Sequence, residues 1–338
     1  MNQEGEKMLT ELEKYTEKSA GKAAKILKSG GIVAIPTETV YGLAANALDE
    51  NAVHSIFVAK GRPQDNPLIV HISNFEMIKP LVTEIPELAK RLAERFWAGP
   101  LTMIFDKSDI VPEATSGGLS TVAVRMPANE AAREIIEKCG FPLAAPSANT
   151  SGKPSPTTAQ HVFEDMNGKI PLIIDGGECA VGVESTVICF RNGKIHILRP
   201  GGITREMLEE FAEVEVDKAV EAAPKADEKV LSPGMKYKHY SPKADVFIVN
   251  ANGDDFENFC RENCGEKTIF LSCGEREGCL NYGETSEIQA HRLFSLLRHA
   301  DEIGAEKVFV EIPSKDGVGL AVYNRLLRAA AFRIIETS

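Results

Sequence analysis

Apolar positions along the chain alternate between helical and strand spacing. Residues 17–29 carry Ala20, Ala23, Ala24 and Leu27 on one helical stripe, which stops at Gly30-Gly31. Ile32–Ile35 then predicts a short buried strand, halted by Pro36. Asp49 can cap a helix bearing Val53, Ile56 and Phe57, which ends near Lys60-Gly61. Further strands are predicted at Leu68–Ile72, Leu101–Phe105, Val122–Arg125, Leu143–Ala145, Leu172–Ile174, Thr186–Phe190 and Ile195–Leu198. Helices fit 86–97, 129–139 and 157–166, and a short helix and strand fill 203–216.

The pattern then breaks. Residues 217–243 hold prolines and charges without apolar periodicity and read as a linker. A second alternation follows: Val246–Val249, helix 254–262, Thr268–Leu271, helix 286–303, Val308–Ile312 and helix 319–333. The expected fold class is α/β, with a large twisted sheet and flanking helices over 1–216. A small, parallel, Rossmann-like unit is expected over 244–338. No G-x-G-x-x-G follows the first strand of that unit, so nucleotide binding there lacks support.

Composition narrows the function classes. The chain has 338 residues, 43% hydrophobic and 26% charged, and a net charge of −11. That balance argues against a protein that coats nucleic acid, though it permits a locally basic cleft. The charged start lacks an apolar leader, and no apolar run reaches membrane-span length, which points to the cytoplasm. The seven cysteines are scattered without paired C-x-x-C knuckles, so they read as reduced and mostly structural.

No phosphate loop, H-E-x-x-H or G-x-S-x-G appears. Ser151-Gly152-Lys153 resembles the end of a phosphate loop, but Pro154 removes a needed amide. Instead, polar clusters follow or end apolar strands, where α/β folds place ligands. They are Pro36–Gly42; Lys60-Gly61-Arg62 with Asn66 and His71; Thr121 with Arg125; Ser147–Gly152 with Ser155; Gly182–Thr186; and Arg199–Gly202. Each alone has a plain structural reading. Thr37 and Thr39 suit turns, Lys60 and Arg62 suit a solvated helix end, and the strand parity of Arg125 suits water. Together they supply the cations and hydroxyl donors that hold a polyphosphate, and phosphoryl chemistry needs little covalent work from the protein.

These clusters, in this order, resemble the threonylcarbamoyl-AMP synthase family with its YrdC-like catalytic domain. The matching elements are PTETVYGL at 36–43, the K-x-R of Lys60 and Arg62, and the S-x-N of Ser147 and Asn149. Glu184-Ser185-Thr186-Val187, Arg199-Pro200-Gly201 and the linker run from Ser232 to Pro242 match as well. The resemblance implies synthesis of threonylcarbamoyl-AMP and pyrophosphate from L-threonine, bicarbonate and ATP, with Mg2+. A separate threonylcarbamoyl transferase complex would then modify tRNA, and direct tRNA binding by this chain would be weak.

Carried over residue by residue, Thr39, His71, Arg125, Ala145 and Ser185 would surround threonine, with Arg125 facing its carboxylate. Arg62, Asn66, Thr121, Ser147, Asn149, Ser155, Arg199 and Tyr240 would hold ATP. Lys60 and Arg62 would stabilise charge on the phosphates, and the linker at 217–243, around Met235–Tyr240, would act as a lid. Two positions depart from the family: Cys189 stands where an Asp is common, and Lys238 where Arg is usual. The alternatives are an RNA-holding module, disfavoured by the acidic total, and carbamoyl transfer in hydrogenase maturation. Proteins of the latter kind carry further domains and C-x-x-C knuckles, which this chain lacks.

Overall fold

Thr16 opens the first helix with a capping box. Its hydroxyl accepts the Ser19 amide at 3.1 Å, and the Ser19 hydroxyl accepts the Thr16 amide at 2.9 Å. The structure, a computed structural model, describes residues 8–64, 66–222 and 240–337. The chain packs as two compact units. One comprises residues up to Ser151 together with Pro156–Cys179; the other comprises Gly152–Ser155 and the chain from Ala180 onward.

The first unit contains β1 (Glu11–Lys14), α1 (Glu17–Lys28), β2 (Val33–Ile35), β3 (Gly42–Asn46), α2 (Glu50–Lys60), β4 (Ile69–His71) and α3 (Glu87–Phe96). It continues with β5 (Leu101–Asp106), α4 (Glu113–Ser116), β6 (Thr121–Arg125), α5 (Glu130–Cys139), β7 (Leu143–Ala144), α6 (Ala159–Met166) and β8 (Leu172–Asp175). Its strands lie in the order β1-β8-β2-β3-β7-β4-β6-β5. The predicted apolar stripe of α1 packs with Ile135 and Ile136 of α5 over Val33, Leu143 and Leu172, so periodicity and core agree. Thr158 caps α6 through the His161 amide and sets its start two residues inside the predicted span.

The consequence for function lies in register. Strands β4 and β6 run parallel with His71 opposite Arg125, so both side chains arrive at the carboxyl ends of neighbouring strands. Thr121 shares the face of Arg125 at the other end of β6, about 13 Å away at 3.3 Å per residue.

The second unit begins with β9 (Thr186–Arg191) and β10 (Lys194–Arg199), a hairpin turned by Asn192-Gly193. Both turn residues have positive φ, 51° and 75°, which suits the right-handed twist of the flanking strands. Helix α7 (Arg205–Glu209) follows, and then β11 (Val214–Val216), parallel to β10. Beyond them lie β12 (Asp245–Asn250), α8 (Asp254–Glu262), β13 (Thr268–Ser272), β14 (Leu280–Asn281), α9 (Ser286–Glu302), β15 (Lys307–Glu311), α10 (Gly319–Ala329) and β16 (Ile334–Glu336). The last five strands form one sheet in the order β14-β13-β15-β12-β16 with every pair parallel, as the second alternation implied. Helix α10 ends earlier than its periodicity suggested. Ala331 and Phe332 adopt φ of 49° and 63°, which stops the helix and starts β16.

Candidate active site

In the first unit, the P-T-E-T segment is shaped by the Thr37 hydroxyl. It accepts the amides of Thr39 at 3.1 Å and Val40 at 3.2 Å, and donates to the Val40 carbonyl at 2.7 Å. This turn aims the buried Thr39 hydroxyl at Arg125, whose Nη1 donates to it at 2.9 Å. The same guanidinium donates from Nε to the Gly99 carbonyl at 3.2 Å and pairs through Nη2 with Glu38 at 2.7 Å. Arg125 is therefore buried at 3% exposure, and the water-facing reading of its parity fails because both faces of β6 are covered.

Burial alone would raise the Glu38 carboxyl. The nearby charge of Arg125 leads the influences that outweigh it and hold the carboxyl below its ordinary range. His71 is pushed down to about 3, first by burial and then by the Arg125 charge, so its ring is neutral at physiological pH. Ala145 lies in the same unit, buried, with its amide on the Ile69 carbonyl at 3.1 Å.

A second constellation gathers around Lys60. Gly61, in a left-handed conformation at φ 62°, ends α2 and lets the chain turn away. The Lys60 ammonium turns inward, contrary to a solvated helix end, and is 2% exposed. It donates to the carbonyls of Ser147 and of Asn149, the latter at 2.8 Å. Ser147 donates its hydroxyl to Oδ1 of Asn149 at 2.6 Å, and the Ser151 amide returns to the Lys60 carbonyl at 2.9 Å. Lys60 thus organises the S-x-N loop. Arg62 is also buried. Asn66 is 1% exposed, and neither atom of its amide has a hydrogen bond among the described residues. Such a group costs about 1–3 kcal/mol, which a polar ligand would recover.

The second unit holds Ser155, Ser185, Arg199 and Tyr240. Arg199 donates from Nε to the Ser185 carbonyl and from Nη2 to its hydroxyl, both at 3.1 Å. Ser155 donates to Oε1 of Glu184. Tyr240, at φ 63°, is buried with its ring 5.2 Å from that of Phe294. The rest of the expected lid, 235–239, falls outside the described residues, as does most of the linker. Cys189 is buried on β9 opposite His196, which places the departure from the family's Asp within a strand pair.

Gly201 shows how tightly this loop is built. A Cβ there would lie 2.3 Å from the Thr186 amide nitrogen and 2.6 Å from the Glu184 carbonyl oxygen, so backbone would have to move. Gly201→Ala is expected to destabilise the protein by about 1–3 kcal/mol, read by urea denaturation. An unchanged midpoint would show that the loop yields.

Sequence reasoning missed Glu38 as the partner of Arg125, and Arg325. The first signal was a carboxylate inside a cluster otherwise made of hydroxyls. The second was an arginine in the apolar run of α10, where a buried guanidinium needs partners.

Comparison with known proteins places these motifs. Residues 25–201 match the family described as "Telomere recombination", and 203–331 match "Threonylcarbamoyl-AMP synthase, C-terminal domain". The threonylcarbamoyl-AMP synthase of Pyrococcus abyssi is 49% identical over 93% of this chain and 94% of its own. That of Bacillus subtilis is 42% identical over 93% of each. The crystal structure of P. abyssi Sua5 complexed with L-threonine superposes with a TM-score of 0.89 at 47% identity, covering 98% of this chain and 99% of that one. Escherichia coli YciO, at 20% identity and a TM-score of 0.51 over 57% of this chain and 96% of its own, shares the fold. The chain belongs to the threonylcarbamoyl-AMP synthase family.

Proposed function

We propose that this synthase forms its product by condensing L-threonine with bicarbonate to a carbamate, whose oxygen attacks the α-phosphorus of ATP as pyrophosphate leaves. The observation that carries the residue assignment is the buried Arg125, set at a strand end beside neutral His71 and fixed by Thr39 and Glu38. A guanidinium held in that way presents its remaining N–H groups in a defined direction, which suits an amino-acid carboxylate. His71 then contributes a ring without charge. Ala145 is assigned to the threonine side chain, and Ser185 to the same substrate.

Asn66, Arg62, Thr121, Ser147, Asn149, Ser155, Arg199 and Tyr240 are assigned to ATP. The Asn66 amide, without a hydrogen bond among the described residues, supports its place in that set. Lys60 acts chiefly by fixing the Ser147–Asn149 carbonyls, with its charge close to the loop that would meet the phosphates. Among the described residues no group of three or more His, Cys, Asp or Glu side chains forms a metal cage. Glu38 and Glu184 are each committed to an arginine. Magnesium would come with ATP, bound to its phosphates.

We assign catalysis to the region 1–216, a cover to 217–243 and an accessory role to 244–338. The product would pass to a transferase complex acting on tRNA, in the cytoplasm. Among the described residues no helix is long and apolar enough to cross a membrane.

The test is pyrophosphate release with ATP, threonine and bicarbonate, each omitted in turn. Release is expected only when all are present. Release that ignores threonine or bicarbonate would sink the proposal.

A further inference from the structure

Helix α10, in the part of the chain assigned an accessory role, sends an arginine into the motif loops. Arg325 is fully buried and donates from Nε to Oε2 of Glu184 at 2.7 Å. Its Nη2 donates to the carbonyls of Glu184 at 3.2 Å and Pro200 at 3.1 Å. Its Nη1 donates to Oδ1 of Asn324 at 2.8 Å, and Asn324 donates in turn to the Val220 carbonyl at 2.6 Å. The guanidinium also lies 5.6 Å from the centre of the Tyr240 ring. One side chain therefore ties the loop before Ser185 to the loop after Arg199, and through Glu184 it reaches the Ser155 hydroxyl.

Two physical points turn this contact map into a role. Removing one partner of a buried ion pair is costly, yet replacing both with neutral groups of similar shape is often neutral for stability. Such a pair is thus poorly explained by stability alone. Placement is the better account, because Ser155, Ser185, Arg199 and Tyr240 all border groups that Arg325 holds. Burial would raise the Glu184 carboxyl, but the charges of Arg325 and then Arg199 keep it below its ordinary range. It stays an acceptor for Ser155.

We propose that Arg325 is a positioning residue for the ATP end of the site, acting through Glu184 and the Pro200 carbonyl. The accessory region thereby sets the geometry of Ser155 and Arg199. This rests on the assignment of those residues to ATP.

The experiment uses the full chain and measures melting temperature together with kcat and KM for ATP and for threonine. Arg325→Met is expected to lower kcat/KM for ATP roughly 30–100-fold and to lower the melting temperature. The neutral pair Glu184→Gln with Arg325→Met removes the uncompensated charge and is expected to regain part of the melting temperature, the Glu184 and Pro200 carbonyls still lacking a donor, while kcat/KM for ATP stays about tenfold down. Arg325→Lys keeps the cation without the fork and is expected to fold with a raised KM for ATP and little change for threonine. Activity that recovers along with the melting temperature would make Arg325 merely structural and overturn the proposal. If neither methionine variant folds, the lysine variant decides, and an unchanged KM for ATP overturns it. A wild-type enzyme that releases pyrophosphate without threonine or bicarbonate fails the reaction itself, a distinguishable result.

Discussion

Arg125→Met is expected to cost about 3–5 kcal/mol of stability, to lower turnover by roughly 10³ and to reverse the acid response of the protein. Glu38 is 12% exposed, and among the described residues the cation paired with it is Arg125 at 2.7 Å. With the arginine present, the folded carboxyl titrates below its reference value of 4.5. Its contribution to stability is then full above about pH 4.5 and is lost as pH falls through the folded value. With methionine in its place, the charge that outweighed desolvation is gone, and the folded carboxyl is expected to titrate above the unfolded one. The variant should therefore gain stability as pH falls towards about 4.5, where the native contribution of Glu38 is still full; the native protein loses that contribution only below about pH 4.5. Urea denaturation between pH 7 and pH 4 separates the two cases, since other carboxylates are common to both proteins. If both proteins respond alike, Glu38 is not held by Arg125 in solution. The fall in turnover should be joined by a raised KM for threonine and little change for ATP, because Arg125 is assigned to the amino acid.

Much of the fold was legible because helical period and burial coincide. The α1 stripe of Ala20, Ala23, Ala24 and Leu27 is buried, and Asp49 caps α2 where its side chain suggested. Strand β3 was missed because G-L-A-A-N carries no β-branched or aromatic residue. It is a strand because β2 and β7 pair with its two edges, and β7 lies about a hundred residues away in sequence. The edge strands β1 and β16 were missed for a similar reason, being short and mostly exposed.

The site divides along the same line. Turn chemistry made Thr37 and Thr39 visible, and the end of an apolar helix made Lys60 visible. Which way their side chains point depends on distant segments. Arg125 was open to a water-facing reading because strand period separates two faces without saying which is covered. Arg325 was invisible as a site element because Glu184, its partner, stands 141 residues away. The ordered motifs contain Glu38 and Glu184 but give them no role, and they do not reach Arg325.

Lys60→Met is expected to lower kcat by roughly 10³, with a smaller effect on either KM. The ammonium sits among three oxygens: the Ser147 carbonyl, the Asn149 carbonyl at 2.8 Å and Oδ1 of Asn149 at 3.5 Å. A thioether fills similar space but donates nothing, so carbonyls that converged on a cation would repel one another and turn outward. Each buried carbonyl left without its donor costs about 1–3 kcal/mol, enough to shift the loop from Ser147 to Ser151. Ser147 and Asn149 would move with it, and loss of the positive charge would weaken stabilisation of the departing phosphates. Lys60→Arg discriminates between the two effects. It keeps the charge, but its planar fork does not match three converging acceptors, so the loop should still be displaced. If the arginine variant retains near-native kcat, charge is what Lys60 supplies. If it falls with the methionine variant, loop placement is the larger part, in keeping with an ammonium that donates to the Ser147 and Asn149 carbonyls.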